Sequence, residues 1–288
     1  MLTTITPFWQ RPEMLRCWFP AVAGATFGNL KHLIFFVGEP IPDWVQKEYG
    51  CDPRFHLISQ MGDVPGDLSI GHYHNLGARL ACTEWIMKMD VDTLPNVHYF
   101  RELLPMLSRA GGREWFNGGM VYVDEAPTHT YLSAHQMPLS EKTYRHIMAN
   151  RSSLCGRLSH GPAATNFICR TSEYLKLGGC DERFRGYGWE DYQQIYALES
   201  HYRGKDPLPG TLNEANVTQR CCREISRPKA HNLWMRNSWL CLLHRCHPAS
   251  PNRSYKSHEG MLRNRKVLLD FILKARDNKA CQTITTTT

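Results

Sequence analysis

The chain has 288 residues, 42% apolar and 21% charged, the balance of an ordinary globular protein, which excludes a disordered or fibrous one. No apolar run approaches the ~18 residues of a membrane span, the longest, residues 33–37, having only the length of a strand. The net charge of +7 comes from 34 Lys and Arg against 27 Asp and Glu, a mixed surface that suits an anionic small substrate or an anionic membrane face, and no nucleic-acid partner is expected from it.

Residues 2–6 are short and β-branched and predict a first strand. Pro12 stands where a helix begins, followed by Leu15, Trp18, Phe19 and Val22 at helical spacing. Residues 32–37 are almost continuously apolar, which predicts a strand buried on both faces and hence a parallel sheet. Residues 54–59 predict a third strand, 75–85 a helix and 85–91 another strand, after which Pro95 opens a helix through Phe100, Leu103, Leu104 and Leu107. The alternation means α/β, with a mostly parallel central sheet flanked by helices. Residues 111–161 read as a strand pair carrying a long polar insertion. Thr171 or Ser172 caps a short helix that ends at Gly178-Gly179, and a further helix runs from about Glu190 to Glu199. Residues 205–229 have loop composition, residues 232–244 return to an apolar pattern, and residues 260–276 form a basic helix. The Thr-rich end, residues 283–288, is expected to fray.

Eleven cysteines, an odd number without a repeating frame, are expected to be free and mostly buried in a reducing compartment. The opening MLTTITPFWQRPEM has neither a basic region nor a continuous apolar core of the secretory kind, so a cytoplasmic location is expected.

Three segments carry candidate chemistry. In Lys88-Met89-Asp90-Val91-Asp92-Thr93-Leu94-Pro95 an apolar strand runs out into two carboxylates one residue apart. That edge of an open α/β sheet is where ligands bind, and alternate residues of an extended segment point to opposite sides. One carboxylate can hold a hard divalent ion, Mn²⁺ or Mg²⁺, and the other a group such as a ribose hydroxyl; a solvated turn explains the same pattern. In Phe184-Arg185-Gly186-Tyr187-Gly188-Trp189-Glu190-Asp191, glycines alternate with aromatics that can stack on sugars, and a carboxylate follows that can accept a proton. A turn before a helix with an acidic N-terminus explains the acids alone. In Cys241-Leu242-Leu243-His244-Arg245-Cys246-His247, thiols and imidazoles cluster after the Cys221-Cys222 pair. No clean C-x₂-C partner supports structural zinc; one histidine completing the site at Asp90 and Asp92 is the better reading.

In order, these segments resemble the GT-A fold glycosyltransferases, most closely the β-1,4-galactosyltransferase type and its bacterial, family 2-like relatives. Pro7-Phe8-Trp9-Gln10-Arg11 through Leu15 looks like that family's nucleotide-binding entry, Asn75-Leu76-Gly77 its helix start, Asp90-Val91-Asp92 with Pro95 its metal motif, and 179–191 its acceptor and base segment. The resemblance spans about residues 3–250 and implies a metal-dependent, inverting transferase of a hexose or N-acetylhexosamine. The donor would be a nucleoside-diphosphate sugar, UDP above all, and the acceptor a glycan or lipid-linked glycan hydroxyl. It implies Asp92 and His244 as metal ligands with His247 as the alternate, and Pro7, Phe8, Arg11, Asn75 and Asp90 at the nucleotide sugar. Asp191 becomes the catalytic base, and Tyr187, Gly188, Trp189 and Glu190 face the acceptor. Tyr187 where Trp is usual, and Trp189 where Gly is frequent, bear on the acceptor more than on the reaction.

A nucleotidyltransferase of sugar phosphates also uses paired acids on an α/β sheet, but its glycine-rich phosphate loop is missing from residues 7–14. A non-catalytic sugar-binding module is the other alternative. One GT-A domain is expected over residues 1–250, with a basic helix and tail over 251–288. That helix either packs its apolar side, Leu262, Val267, Leu268, Phe271 and Ile272, on the domain or docks on an anionic inner membrane face.

Overall fold

The computed structural model describes residues 1–62, 68–112, 114–159, 166–225, 233–247 and 257–285. The expected boundary at 250/251 and the last residues of the Thr-rich end lie outside these, as do parts of the expected loop at 205–229 and of the polar insertion.

In chain order the first half comprises β1 (Leu2–Phe8), α1 (Pro12–Ala25), β2 (Lys31–Val37), α2 (Asp43–Tyr49), β3 (Phe55–Gln60), α3 (Ile70–Leu80), β4 (Trp85–Lys88), β5 (Thr93–Leu94) and α4 (Tyr99–Arg109). Then come β6 (Phe116–Asn117), β7 (Gly119–Tyr122), α5 (Glu125–Tyr131), α6 (Glu141–Ala149), α7 (Arg151–Leu154), β8 (Arg157–Ser159), β9 (Phe167–Arg170) and α8 (Thr171–Lys176). The remainder is α9 (Glu190–Arg203), α10 (Val217–Arg220), α11 (Leu233–Arg236), β10 (Cys241–His244) and α12 (His258–Thr285).

The larger sheet has the order β3-β2-β1-β4-β9-β6. Its first four strands are parallel, and β9 lies antiparallel to both β4 and β6. β2 shows why its sequence is nearly all apolar. Ile34 and Phe36 enter the core beneath α1 and α4, whereas Leu33, Phe35 and Val37 enter the core shared with Tyr73 of α3 and Ile195 of α9. Both faces are dry, so no polar residue can alternate. A second sheet, β5-β10-β7-β8, stands at the carboxyl edge of the first and brings its late strand, β10, back beside β5.

Several boundaries differ from expectation. α3 starts at Ile70 rather than Asn75, because the Ser69 side chain caps it by accepting from the His72 amide. β4 ends at Lys88, since the chain turns at Asp90, whose carbonyl accepts from both the amide and the hydroxyl of Thr93. Pro95 opens no helix; α4 begins at Tyr99. Neither Thr171 nor Ser172 caps α8, the cap position being Arg170 with no side-chain bond. The expected loop at 205–229 contains α10 and a π-turn over Cys221–Ile225. The polar insertion is helical, α5 to α7, between the paired strands β7 and β8.

α12 continues past Arg276 and packs against α9, with Leu268 and Ile272 fully buried. Its bases Arg276 and Lys274 pair with Asp206 and Asp270. Among the described residues no helix is long and apolar enough to cross a membrane.

Candidate active site

The carboxyl ends of β1 and β4 open on one region, and three later segments close around it. After β4 the chain turns through Asp90 and Asp92 into β5, which pairs with β10 so that His244 lies opposite Thr93. A further bond, Arg245 N to Asp92 O at 2.9 Å, fixes that register. Asp92 Oδ2 is 3.5 Å from His244 Nε2 and 3.0 Å from His247 Nε2. The ligand-capable atoms of these residues all lie within 4.8 Å of one another. Burial opposes ionisation of Asp92, but His244 and His247 outweigh it and hold its carboxyl well below the usual range. Asp92 Oδ1 is buried with no hydrogen-bond partner among the described residues. A carboxylate and two imidazoles, one oxygen unpartnered, fit a divalent cation.

Arg11 reaches the same cluster. Its Nη1 is 3.2 Å from Asp92 Oδ2 and 3.1 Å from His247 Nε2. The chain arrives there through Gln10, at φ 53°, whose amide donates to Glu39 Oε1 at the end of β2. Pro7 is half-buried on β1. Phe8 does not line a pocket as expected. It is fully buried and meets Phe36 edge-on at 5.4 Å, because alternation along β1 turns it into the core.

The acidic pair sits at the N-terminus of α9. Trp189 occupies the position before it at φ 76° and lies tilted against Tyr192 at 5.7 Å, while Tyr187 is 44% exposed. Asp191 Oδ1 accepts from Lys88 Nζ at 2.7 Å, and Gln194 Oε1 lies 3.4 Å from the same nitrogen. Burial works against the Lys88 charge, yet Asp191, joined by Cys180 and Glu190, outweighs it and raises the lysine's pKa. Glu190 is pushed up to about 7, first by burial, then by the Asp191 charge, with a smaller contribution from Asp90. Glu190, next to a carboxylate already paired with Lys88, is thereby held toward its protonated form.

Asn75 is buried and its amide is fully engaged. Nδ2 donates to Cys180 O and Glu182 Oε1, and Oδ1 accepts from Tyr174 Oη and Cys180 N. Those bonds tie α3 to the segment leading into the Gly-Tyr-Gly-Trp loop, leaving no hydrogen-bonding capacity for a nucleotide; this corrects the expected role of Asn75.

Sequence reasoning passed over Lys88. The signal was a lone cation at the end of an otherwise apolar strand, which burial forces to find a carboxylate. It also held His247 only in reserve, although His247 lies nearer to Asp92 than His244 does. Among the described residues the candidate metal cluster contains no cysteine, and the ten described cysteines are free, five of them buried.

No curated protein matches the chain. Among solved structures, TarS 1-349 of S. aureus, in complex with UDP, superposes with a TM-score of 0.50 at 11% identity, over 68% of this chain and 54% of that one. Glucosyl-3-phosphoglycerate synthase from Mycobacterium tuberculosis, in complex with Mn²⁺, UDP and glucosyl-3-phosphoglycerate, gives 0.48 at 11% identity over 95% and 79%. The chain spans about half the length of the TarS fragment. At such identity the likeness is one of fold, and the fold is GT-A. The family model described as glycosyltransferase like family 2 matches residues 51–223, well over half of the chain, from the turn before β3 through α9 to the π-turn. With that match laid over the Asp92 cluster's first member and the whole acidic pair, the chain belongs to the glycosyltransferase like family 2 and carries the GT-A fold.

Proposed function

We propose that the protein transfers a hexose or N-acetylhexosamine from a UDP-sugar to a hydroxyl of a glycan or lipid-linked glycan, with inversion at the anomeric carbon. The observation that carries the reading is the convergence of Asp92, His244 and His247 at one end of the site, with the Asp191–Lys88 pair at the head of α9. The first group suits a metal-bound diphosphate and the second a reacting hydroxyl.

The hard part of such a transfer is the charge on the departing diphosphate, and a divalent cation bound there supplies Lewis-acid stabilisation of it. Asp92, His244 and His247 would hold the cation. Imidazole donors favour Mn²⁺ over Mg²⁺, which prefers oxygen. Arg11, within reach of Asp92 and His247, would add a fixed positive charge beside the phosphates. Asp90, on the opposite side of the turn, would accept from a ribose hydroxyl, and Pro7 would lie under the base.

At the other end Asp191 would take the proton from the attacking hydroxyl. Lys88, at 2.7 Å, holds it in place until then. Glu190 would hydrogen-bond acceptor hydroxyls, as donor when protonated, and Tyr187 and Trp189 would offer their faces to sugar rings around Gly188. Attack opposite the phosphate turns an α-linked donor into a β-glycoside.

A cytoplasmic enzyme meeting lipid-linked acceptors would work at the inner membrane face. α12 supplies basic residues for that contact, although its apolar side is occupied by α9.

The test is a donor screen that follows nucleoside diphosphate release with Mn²⁺, Mg²⁺ or EDTA. A UDP-sugar turned over with Mn²⁺ and not in EDTA is the expected result; full activity in excess EDTA overturns the metal-dependent reading. Asp191→Asn is expected to retain UDP binding and lose about 10²–10⁴ in transfer. Collapse of UDP affinity in that variant would move the base elsewhere.

A further inference from the structure

The Gly-Tyr-Gly-Trp loop has a backbone its own sequence does not hold in place. Gly186, Gly188 and Trp189 take φ of 68°, 105° and 76°, values that turn successive peptide planes over and that a residue as large as Trp keeps only when its surroundings enforce them. As a result the carbonyl oxygens of Arg185, Tyr187 and Gly188 reach a single point.

At that point stands Asn264 of α12, a fully buried amide. Its Nδ2 lies 2.9 Å from Arg185 O, 3.3 Å from Tyr187 O and 3.2 Å from Gly188 O. Its Oδ1 accepts from the Arg185 amide at 3.1 Å. Converging carbonyls need a donor and the Arg185 amide needs an acceptor, and one planar carboxamide carries both. The preceding residue, Arg263, adds a second donor to Arg185 O at 3.1 Å. On the other side of the loop the Gly186 amide donates to Leu68 O at 2.8 Å.

α12 is anchored independently of these bonds. Leu268 and Ile272 are fully buried with Ile195 and Tyr196 of α9, and Arg276 pairs with Asp206 at 2.8 Å. Asn264 therefore acts from a fixed support, and the peptide planes it holds run directly into Glu190 and Asp191.

We propose that Asn264 is a positioning residue for the transfer reaction, which fixes the backbone of residues 185–188 and through it the place at which Tyr187, Trp189 and the acidic pair meet the acceptor. The proposal rests on the reading of that loop as the acceptor and base segment. It makes the C-terminal helix part of the site through the backbone that Asn264 holds.

The experiment uses the full chain. Asn264→Leu keeps the branched shape and the number of side-chain atoms, though bulkier, and removes all the bonds of Asn264; Asn264→Asp keeps the acceptor for the Arg185 amide and sets a carboxylate against the carbonyls. Each is compared with wild type in amide hydrogen exchange, in UDP affinity with Mn²⁺ by titration, and in UDP release from a panel of UDP-glucose, UDP-galactose and UDP-N-acetylglucosamine. The expected result is exchange over residues 184–190 faster by about tenfold or more, the equivalent of at least one net hydrogen bond, with β1 and β4 still protected. UDP affinity should be unchanged and UDP release lower by roughly 10², the scale of a small misplacement of reacting groups. Unchanged exchange over 184–190, or undiminished UDP release in a folded variant, overturns the proposal. If both variants fail to fold, Arg263→Met, which alters only an exposed side chain, decides: faster exchange at 185–187 supports the brace, and exchange equal to wild type overturns it. Wild type that neither binds UDP with Mn²⁺ nor releases it from any donor refutes the proposed function, while the exchange result still judges the brace.

Discussion

Lys88 Nζ and Asp191 Oδ1 meet at 2.7 Å across a site where the lysine side chain is 1% exposed and the aspartate 12%. The lysine arrives from the end of β4, two residues before Asp90, and the aspartate from the first turn of α9. One ion pair thus ties the strand that leads to the Asp92 cluster to the helix that begins with Glu190 and Asp191.

Removing one partner strands the other. Lys88→Met should destabilise the protein by about 3–5 kcal/mol, the cost of an uncompensated buried charge, read from urea unfolding. Adding Asp191→Asn should recover most of that loss while leaving transfer absent. Recovery of neither stability nor folding in the double variant would show that Lys88 serves packing, over Phe167, instead of Asp191.

Glu190 makes stability depend on pH. Its carboxyl rises from about 4.5 to about 7 on folding, so the folded chain binds more protons than the unfolded one between those values. Its contribution favours folding fully below pH 4.5 and is lost as pH rises through 7. Glu190→Gln mimics the protonated form and should escape this loss, ending more stable than wild type at pH 8 by roughly 3 kcal/mol. Equal stability of the two proteins from pH 5 to 8 would place the ordinary carboxyl value at Glu190.

The histidines can be separated by titration. With Asp92, His244 and His247 all present, Mn²⁺ should bind measurably without nucleotide and more tightly with UDP. His247→Ala should weaken Mn²⁺ binding by roughly 10–100-fold and retain residual UDP-dependent binding. Asp92→Ala should abolish both. Identical Mn²⁺ affinity in His247→Ala and wild type would leave His247 as a partner of Arg11 only.

α12 gives opposite expectations for its two faces. Leu268→Ala should cost about 2–5 kcal/mol, since Leu268 is fully buried. Charge reversal at Lys266 and Lys274 should leave the Tm nearly unaltered. If these lysines meet a membrane, the same reversal will lower binding to anionic liposomes; liposome binding that never rises with anionic lipid leaves the helix a packing element alone.

The parts of this molecule that a single stretch of chain dictates were legible in the sequence. β2 announces itself because both its faces are dry, and Asp90-Val91-Asp92 because carboxylates following an apolar strand have no packing role. α3 was misplaced by five residues because its first turn, Ile70 to Tyr73, lacks an apolar repeat and is set instead by the Ser69 cap. Phe8 was misassigned because motif order says nothing about which way a strand residue faces. Lys88 with Asp191, and Asn264 with the carbonyls of 185–188, join positions 103 and roughly 80 residues apart, and no local pattern encodes such partners. Family membership goes against the nucleotidyltransferase alternative.

The ladder between β5 and β10 has a consequence for how such a chain can change. Thr93 and Leu94 on one side and Leu243 and His244 on the other set the place of His244, and the bonds of Arg245 N to Asp92 O and of Cys246 N to Thr128 Oγ1 carry the chain on to His247. Everything from α5 to α7 hangs between β7 and β8 as a closed excursion whose two ends are already paired. Its inner side is bound to the rest, since Thr128 of α5 accepts from the Cys246 amide between the two histidines and Leu132, Leu139, Tyr144 and Ile147 are buried in the core. A lineage could therefore vary only the outer, exposed side of this insertion and meet new acceptors, while the centre proposed for the diphosphate stayed as it was.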